Sequence, residues 1–370
     1  MLRARSRYGL QVPSDRLRVA VLYGGRSSEH SISCVSAGGI LRALDPDRYE
    51  AIAVGIDLDG NWFRQPGDPD ALRIVDGVLP RVAPTGEALD LSGQPGRAGA
   101  FAGGVDVVFP VLHGPWGEDG TIQGLLEMAG IPYVGSGVLA SALAMDKGPM
   151  KMALASAGLA VAPFAVVTDR QWRLAREESM ARVQELGLPC FVKPTRAGSS
   201  LGITKVGSAQ DLVPAIESAR EHDPCVIVEA AVTGAREIEC GVLADGHGRP
   251  ISSRCAQIVV RGEHEFYDFR AKYLDDAAEL ILPADLPGAV EDEVRRQAAL
   301  AFDALGCEGL ARVDFFVDAA DRVIVNEVNT MPGFTPISMF PRMWQETGWT
   351  YAGLVEHLIA DALRRGTGLR

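Results

Sequence analysis

The sequence predicts a three-part protein that combines the α/β and α+β classes, with an N-terminal doubly wound α/β domain followed by two α+β subdomains. Its 370 residues exceed the size of one typical core, and 47% hydrophobic residues can bury a sizeable interior. Continuous apolar runs alternate with helix-like stretches at the start of the chain, and shorter strands alternate with helices beyond them. The predicted parts are a flexible tail over 1–16, an N-terminal domain over 17–144, a central subdomain over 145–233 and a C-terminal domain over 234–370.

The N-terminal domain is predicted from apolar runs of the kind that parallel sheets bury on both faces. Three such runs are residues 17–23 (LRVAVLY), 51–57 (AIAVGID) and 105–112 (VDVVFPVL). A glycine pair at 24–25 separates the first run from a helix-like stretch over 31–44. Between 60 and 104 the chain is rich in Gly, Pro and Asp, which predicts loops rather than core.

The two later parts consist of shorter elements. In the central subdomain we expect a helix over 145–158, a helical stretch ending near 186, a helix ending near 221, and strands over 161–167, 190–194, 202–206 and 226–231. In the C-terminal domain we expect a strand from 236, a helix over 290–305, strands over 310–317 and 323–328, and terminal helices. This alternation, without an internal repeat, is typical of compact α+β modules.

Composition argues against several classes of function. The chain carries 36 Lys+Arg against 48 Asp+Glu, a formal net charge of -12, whereas nucleic-acid binding needs a basic face. Its six cysteines are far apart, so neither a zinc site nor a disulfide framework is predicted, and reduced thiols fit a cytoplasmic protein. The tail over 1–16 lacks the apolar core of a signal peptide, and no run approaches the ~18 apolar residues of a membrane helix. We therefore expect small-molecule substrates, with neither nucleic acid nor membrane as a partner.

The strongest constellation lies on two apolar strands near the end of the chain. Arg312 and Asp314 share one face of the first strand, because side chains on a strand alternate between faces. Glu327 and Asn329 share one face of the second strand, and the short link over 318–322 would pair the strands as an antiparallel hairpin. Two carboxylates and an amide oxygen on a rigid sheet suit Mg²⁺, and the arginine suits a transferring phosphoryl group. The alternative is a surface strip of ion pairs, which strands this apolar disfavour.

A second constellation combines lysines with a loop of small residues. A predicted strand contains Lys193, and the following TRAGSSLG (195–202) offers hydroxyls and backbone N–H groups that can close over phosphates. Lys147 opens the helical stretch of the central subdomain. The P-loop pattern G-x-x-x-x-G-K-[ST] is absent, and a Gly/Ser loop alone is more often an ordinary turn. The prediction of a nucleotide site therefore depends on the two lysines together with the downstream carboxylates.

Two loops that follow buried strands are candidates for substrate binding, since α/β proteins bind ligands beyond the carboxyl ends of their strands. One is HGPWGEDGT, which starts at His113, and the other is GGRSSEH, which contains Glu29. We expect substrate contacts from both of these residues. For Glu118 and Asp119 we expect ordinary turn chemistry, with one or the other capping the helix that follows.

Taken in order, these segments resemble the D-alanine–D-alanine ligase family of the ATP-grasp superfamily. The resemblance covers residues 18–344 and rests on seven motifs: GGRSSEHSIS, HGPWGEDGTIQG, MDK, VKPTRAGSSLG, FYDFRAKYLDD, ARVDFFV and NEVNTMPGFTPIS. It implies a three-part ATP-grasp architecture. It also implies a homodimer, a cytoplasmic bacterial setting and a role in peptidoglycan precursor synthesis.

The resemblance implies roles for the residues that match these motifs. Those for the D-alanine substrates are Glu29 at the first ammonium group, His113, the triad of Glu29 with Ser199 and Tyr273, and Ser338 and Met339 at the second carboxylate. Those for ATP are Lys147, Lys193 and Lys272 at the phosphates and Glu229 and Glu237 near the adenine and ribose. Those for two Mg²⁺ ions, for which Mn²⁺ can substitute, are Asp314, Glu327 and Asn329. Arg312 and the Gly333 N–H would stabilise the developing oxyanion.

The implied reaction has two steps. The γ-phosphate of ATP converts the carboxylate of the first D-alanine, a poor electrophile, into an acyl phosphate, and the amine of the second D-alanine then attacks it. Because an acyl phosphate hydrolyses readily, mobile loops should cover it. The candidate lids are 195–202 and 262–277.

Three alternatives accompany this interpretation. The same fold can use D-lactate or D-serine as the second substrate, although Tyr273 and its surroundings resemble the D-alanine type. A nicotinamide-dependent dehydrogenase is disfavoured, since the first glycine turn is not G-x-G-x-x-G. A non-catalytic nucleotide-binding regulator would lack metal or lid residues, and the sequence retains them.

Overall fold

The computed structural model describes residues 16–89, 101, 104–198, 201–260 and 278–368. In these ranges the strands form three separate sheets, of five, four and five strands, which follow one another along the chain. Every helix in the same ranges is too short or too polar to traverse a bilayer. The three-part organisation expected from the sequence is therefore visible in the sheets.

The N-terminal sheet has parallel strands at its centre. Its strands are β1 (Leu17–Gly24), β2 (Tyr49–Ile56), β3 (Trp62–Arg64), β4 (Glu87–Leu89) and β5 (Val107–Pro110), in the order β4-β3-β2-β1-β5. Its helices are α1 (His30–Ala43) and α2 (Thr121–Ala129). β1 pairs in parallel with β2 and β5. Val21 and Leu22, adjacent in β1, enter different hydrophobic clusters, so both faces of the sheet are covered, as the doubly wound prediction requires.

The prediction of loops over 60–104 is wrong in part. β3 pairs antiparallel with β2, and β4 pairs with β3, so this segment extends the sheet. Trp62 and Leu89 are buried in the same cluster as Leu22. Each of the two strands is three residues long. Runs that short show no alternation that a sequence pattern could detect.

The central part packs helices on an antiparallel sheet. Its strands are β6 (Phe164–Val167), β7 (Cys190–Pro194), β8 (Thr204–Val206) and β9 (Val226–Ala230), in the order β6-β9-β7-β8. The helices on this sheet are α5 (Asp169–Leu174), α6 (Arg176–Gln184) and α7 (Leu212–Arg220). Before them along the chain, α3 (Val138–Met145) and α4 (Lys147–Ser156) pack against the strand Val323–Asn329 of the next sheet. The helix predicted over 145–158 starts at Lys147, because Asp146 caps it by accepting from Gly148 N at 3.2 Å. The helical stretch predicted to end near 186 divides into two helices at Ala175.

The C-terminal sheet is antiparallel throughout. Its strands are β10 (Arg236–Ala244), β11 (Pro250–Val260), β12 (Ala278–Ile281), β13 (Leu310–Val317) and β14 (Val323–Asn329), in the order β12-β11-β10-β13-β14. Its helices are α8 (Gly288–Ala304), α9 (Met339–Glu346) and α10 (Tyr351–Arg365). β13 and β14 pair as the predicted hairpin, which confirms the side-by-side arrangement of their polar residues.

The first and last parts of the chain share one core, and this packing positions the site. α10 packs against α1 and β5. Phe334, which follows β14, is fully buried in the shared cluster, with its ring centroid 5.7 Å from those of Phe109 and Tyr351. The segment 330–338 is thereby anchored beside the end of β5. The predicted domain boundaries stay predictions, because this core contains residues of both the predicted N-terminal domain and the predicted C-terminal domain.

Candidate active site

Two adjoining cavities lie where the predicted site residues meet. The first, of about 310 Å³, is lined by residues that include Glu29, Arg312 and Gly333. The second, of about 230 Å³, is lined by residues that include Lys193 and Glu237. The two cavities share a wall that consists of Lys147, Ala197, Gly198, Glu239 and Glu327. A group at this wall can contact a ligand in either cavity.

The β13–β14 hairpin supplies the most polar part of the site. Asp314 lies opposite Glu327 across the two strands, and Arg312 lies opposite Asn329. Arg312 donates two hydrogen bonds to the Asp314 carboxylate, both of 2.7 Å, and its Nε is 3.4 Å from Glu239 Oε1. Burial opposes the charge of Arg312, but these carboxylates raise its pKa well above the ordinary value. Arg312 therefore remains a cation inside the site.

The predicted metal ligands fit a hard divalent cation by their chemistry. Asp314, Glu327 and Asn329 place two carboxylates and an amide on adjoining positions of paired strands, and Asn329 Nδ2 donates to Asp314 Oδ2 at 3.1 Å. Among the described residues, no group of three or more His, Cys, Asp or Glu side chains is arranged to hold a metal. A set this sparse suits Mg²⁺, which keeps several positions for phosphate oxygens and water. Asp314 also pairs with Arg312, so the two must separate before this carboxylate can bind a cation.

A buried carboxylate with two lysines lies at the second cavity. Glu229 is 4% exposed, and its oxygens are 2.5 Å from Lys193 Nζ and 2.9 Å from Lys151 Nζ. Burial works to raise the pKa of Glu229, but the two ammonium groups outweigh it and lower the pKa to about 2. Lys151 also donates to the carbonyl of Asn326 at 2.9 Å. Glu229 thus holds Lys193 at the lining of the second cavity.

Lys147 ties the start of α4 to the small-residue loop. Its Nζ donates to Ala197 O at 2.9 Å and is 3.5 Å from Glu327 Oε2. Gly198, the next residue in that loop, lies against Glu29, since a Cβ at position 198 would be 2.8 Å from Glu29 Oε2. The loop predicted to cover phosphates therefore reaches the residue predicted to hold the first substrate.

Glu29 owes its position to the glycine turn after β1. Gly24 has φ +88°, and a Cβ there would be 2.3 Å from Ile56 O. Any other residue would be strained and would overlap the backbone of β2. The turn leads the chain directly to Glu29 and the start of α1.

His113 lines the first cavity but binds protein groups with both ring nitrogens. Nδ1 is 3.0 Å from Met331 O, which can only accept, so Nδ1 carries the proton. Nε2 is 3.2 Å from Ser36 Oγ, which then donates to it. Burial lowers the pKa of His113, in agreement with a neutral ring. Its role in substrate binding stays a prediction.

The acidic pair after His113 behaves in two different ways. Asp119 accepts from Thr121 N, in the first turn of α2, at 3.0 Å, as expected for a cap. Glu118 does not cap, and it is not limited to ordinary turn chemistry, so the prediction for this residue is wrong in part. Its two oxygens accept from Gly114 N at 2.6 Å and from Met331 N at 3.2 Å. Sequence reasoning could not find this contact, because Met331 comes from the other end of the chain.

The residues predicted for the oxyanion and the second substrate lie together. Gly333, Ser338 and Met339 line the first cavity, at the end of the segment after β14 and the start of α9. Ser338 Oγ accepts from Thr335 N at 3.1 Å, which orders the turn before the helix. Their substrate contacts stay predictions.

Three predicted residues, Ser199, Lys272 and Tyr273, lie outside the described residues, as does the candidate lid over 262–277. Sequence reasoning assigned no role to Lys151 or Glu239, which the structure brings into the site. Lys151 could have been found from its helical spacing, since it lies four residues after Lys147.

Comparison with known families agrees with this geometry. The family described as "D-ala D-ala ligase N-terminus" matches residues 18–136, and the one described as "D-ala D-ala ligase C-terminus" matches residues 153–360. Together the two matches cover most of the chain. They include Glu29 and His113 in the first match and the β13–β14 hairpin in the second.

Individual relatives extend the match over almost the whole chain. The "D-alanine--D-alanine ligase" of Paenarthrobacter aurescens is 52% identical, with 96% of this chain and 98% of the relative covered. A solved D-Ala:D-Ser ligase, VanG from Enterococcus faecalis, is 34% identical with a TM-score of 0.78, and 94% of this chain and 99% of that chain are covered. The D-alanine–D-alanine ligase structure from Coxiella burnetii is 32% identical with a TM-score of 0.77, and 95% of each chain is covered. These neighbours confirm the predicted ATP-grasp architecture, and the chain belongs to the D-alanine–D-alanine ligase family.

Proposed function

We propose that this protein is an ATP-dependent ligase that joins two D-alanine molecules and releases ADP and phosphate, in the synthesis of peptidoglycan precursors. The observation that carries the proposal is the shared wall between the two cavities. A nucleotide in the second cavity and an amino acid in the first would meet at Lys147 and Glu327, on that wall. Phosphoryl transfer needs such a meeting point between donor and acceptor.

The second cavity has the features of a nucleotide site. Phe191, Ile203 and Ile258 give it apolar surface, and Glu237 and Lys193 give it polar groups. Apolar surface suits the faces of a base, and charged groups beside it suit the hydroxyl and phosphate groups of a nucleotide. We propose that Lys147 and Lys193, with Lys272, contact the phosphates, and that Glu229 and Glu237 lie near the adenine and ribose.

The first cavity has the features of an amino-acid site. Glu29 supplies a carboxylate for an ammonium group, and Ser338 lies at the start of α9, where backbone N–H groups favour a carboxylate. We propose that Glu29 binds the first D-alanine, with His113 close by, and that Ser338 and Met339 bind the carboxylate of the second. Arg312 and the Gly333 N–H would stabilise negative charge on the reacting carbonyl oxygen.

Membership of the family implies ATP and a divalent metal. We propose Asp314, Glu327 and Asn329 as the residues that would hold two Mg²⁺ ions, with Mn²⁺ as a possible replacement. Bound there, the metal would neutralise phosphate charge. With ATP and metal bound, Asp314 would hold the metal, and Arg312, which now pairs with Asp314, would contact the transferring phosphoryl group.

Two finer features are also proposed. The family resemblance implies a homodimer in the cytoplasm. Closure by Ser199 and Tyr273 over Glu29 would protect the acyl phosphate from water, and Gly198 beside Glu29 supports this arrangement on one side.

A ligase with D-serine as the second substrate is the nearest rival, because a solved D-Ala:D-Ser ligase shares 34% identity over 94% of this chain. Phosphate release from ATP and Mg²⁺ distinguishes them, with D-alanine, L-alanine, D-serine or D-lactate supplied and the products identified by mass spectrometry. We expect release with D-alanine alone and the mass of D-alanyl-D-alanine. Release only with a mixed pair would assign the rival activity, and no release with any of them would contradict the proposal.

A further inference from the structure

The segment that carries Gly333 is held through its backbone at two residues. We define residues 330–338 as the Gly333 loop. At Met331, the N–H donates to Glu118 at 3.2 Å and the carbonyl accepts from His113 at 3.0 Å. At Phe334, the N–H donates to Ser36 Oγ at 3.4 Å and the carbonyl accepts from Tyr351 at 2.7 Å. Gly333 thus lies between Met331 and Phe334, and the backbone N–H and carbonyl of each of these residues are hydrogen-bonded to other parts of the chain.

Glu118 is the member of this set that carries a carboxyl group. Its Oε2 accepts from Gly114 N at 2.6 Å and its Oε1 from Met331 N at 3.2 Å, so one carboxylate joins the loop after β5 to the Gly333 loop. His113, in the same loop after β5, binds the other polar group of Met331. Two residues of the N-terminal part of the chain therefore bind both the N–H and the carbonyl of Met331 in the Gly333 loop.

We propose that Glu118 is a positioning residue that sets the Gly333 N–H at the distance needed to stabilise the oxyanion. This inference rests on the proposed ligase activity. An oxyanion site works only when its donors are held in place before charge develops, because reorganisation during the reaction would cancel the gain. Glu118 supplies this rigidity from a different part of the chain than the loop itself.

The chemistry of the contact requires a carboxylate. An ionised carboxylate offers an acceptor on each oxygen, so it can bind two N–H groups at once, whereas an amide offers an oxygen on one side only. Burial, followed by the nearby Glu29, raises the pKa of Glu118 to about 8, against the effect of the two N–H donors. A glutamate exposed to solvent would not have its pKa raised by burial in this way. Burial therefore opposes the ionised form more strongly than the two bonds favour it, and the carboxylate that accepts both bonds predominates only above a pH of about 8.

Asp119 provides a matched control in the next position. It also accepts two backbone hydrogen bonds, from Trp116 N at 2.8 Å and Thr121 N at 3.0 Å. Both partners belong to its own loop and helix, so Asp119 does not reach Met331. Asp119→Asn and Glu118→Gln make the same change from carboxylate to amide in the same loop, and only the second breaks the link to the Gly333 loop. Glu118→Asp keeps the charge but shortens the side chain by one methylene.

The test combines hydrogen–deuterium exchange with steady-state kinetics on the full-length enzyme. Above pH 8, where Glu118 is ionised, we expect the peptide over 330–338 to exchange roughly tenfold faster in Glu118→Gln and Glu118→Asp, as for the loss of one hydrogen bond to a carboxylate. We expect kcat to fall about 10- to 100-fold, in the range for a displaced oxyanion donor, with the KM for ATP unchanged. Asp119→Asn should change exchange only around 113–121 and leave kcat as in the wild type.

Three results would overturn the proposal. They are unchanged exchange over 330–338 in both Glu118 variants, faster exchange with wild-type kcat, and an equal effect of Asp119→Asn on the Gly333 loop. Failure of the proposed function would look different. In that case the wild type itself would release no phosphate with D-alanine, while the exchange experiment would still report whether Glu118 holds the loop.

Discussion

Removal of either Lys151 or Glu229 should destabilise the protein to very different extents. The three charged groups at this position are buried and carry two positive charges and one negative charge, since Lys193 is the second cation. In Lys151→Met, the carboxylate keeps Lys193 at 2.5 Å. In Glu229→Gln, two buried ammonium groups lose their common counter-ion. A buried charge left without a partner is the more costly outcome.

The pKa of Glu229 sets the expected magnitude. It falls from the ordinary 4.5 to about 2. Each unit corresponds to about 1.4 kcal/mol, so ionisation of Glu229 contributes about 3 kcal/mol to the free energy of unfolding at neutral pH. We therefore expect a loss of about 3–5 kcal/mol for Glu229→Gln, as for a broken buried pair. For Lys151→Met we expect about 1–3 kcal/mol, from the lost bonds to Glu229 and to the Asn326 carbonyl.

Urea unfolding of the wild type and both variants at several pH values measures these differences. Because the folded pKa of Glu229 lies below its unfolded value, its contribution is present above pH 4.5 and is lost as pH falls toward about 2. The gap between wild type and Glu229→Gln should therefore be constant from neutral pH down to about 5 and narrow below 4.5. Lys151→Met should also raise the KM for ATP. Without Lys151, Glu229 pairs with Lys193 alone and binds it more tightly, so Lys193 is less available to the phosphates. If Lys151→Met were as destabilising as Glu229→Gln, the two lysines could not be sharing one carboxylate in the way described.

Three further substitutions test separate parts of the site. Arg312→Ala should reduce kcat about 1,000-fold or more by removing the cation at the oxyanion, with the far-UV circular dichroism unchanged, and normal turnover would exclude that role. Gly198→Ala should raise the KM for D-alanine with little change in Tm, because its Cβ would meet only the mobile end of Glu29, and an unchanged KM would contradict their contact. Gly24→Ala should lower the free energy of unfolding by about 2 kcal/mol or more, since its positive φ and the Ile56 carbonyl leave no room for a Cβ, and wild-type stability in urea would refute the strained turn.

The hairpin could be predicted from the sequence because its determinants are local. Alternation along each strand decides which side chains share a face, and a link of a few residues decides that the strands pair. Next to the link Val317 pairs with Val323, and this register, continued without interruption, would place Asp314 opposite Asn326. A bulge between Asp314 and Phe315 shifts the register by one residue, which brings Asp314 opposite Glu327, and no pattern in the sequence indicated it.

The contacts of Glu118 could not be predicted, because they depend on how separate parts of the chain pack. Glu118 meets Met331 only because Phe334 is buried in a core shared by the first and last parts. Local rules favoured a helix cap for Glu118, and the neighbouring Asp119 took that role instead. Long-range packing therefore overrode a sound local expectation at the position that faces the cavity.

The charge of the second cavity explains why an acidic protein would need a metal to bind a triphosphate. Its described lining carries five carboxylates and two lysines: Glu229, Glu237, Glu239, Asp314, Glu327, Lys147 and Lys193. Lys151 pairs with Glu229, and Arg312 pairs with Asp314. When these two cations are added to the lining, the sum is still one negative charge. A polyanion gains no net attraction from such a surface, whatever hydrogen bonds its phosphates find. One divalent cation at the hairpin would reverse the sign of the site, and a second would make it strongly positive. The carboxylates that look unfavourable for ATP are thus the feature that favours ATP together with its metal.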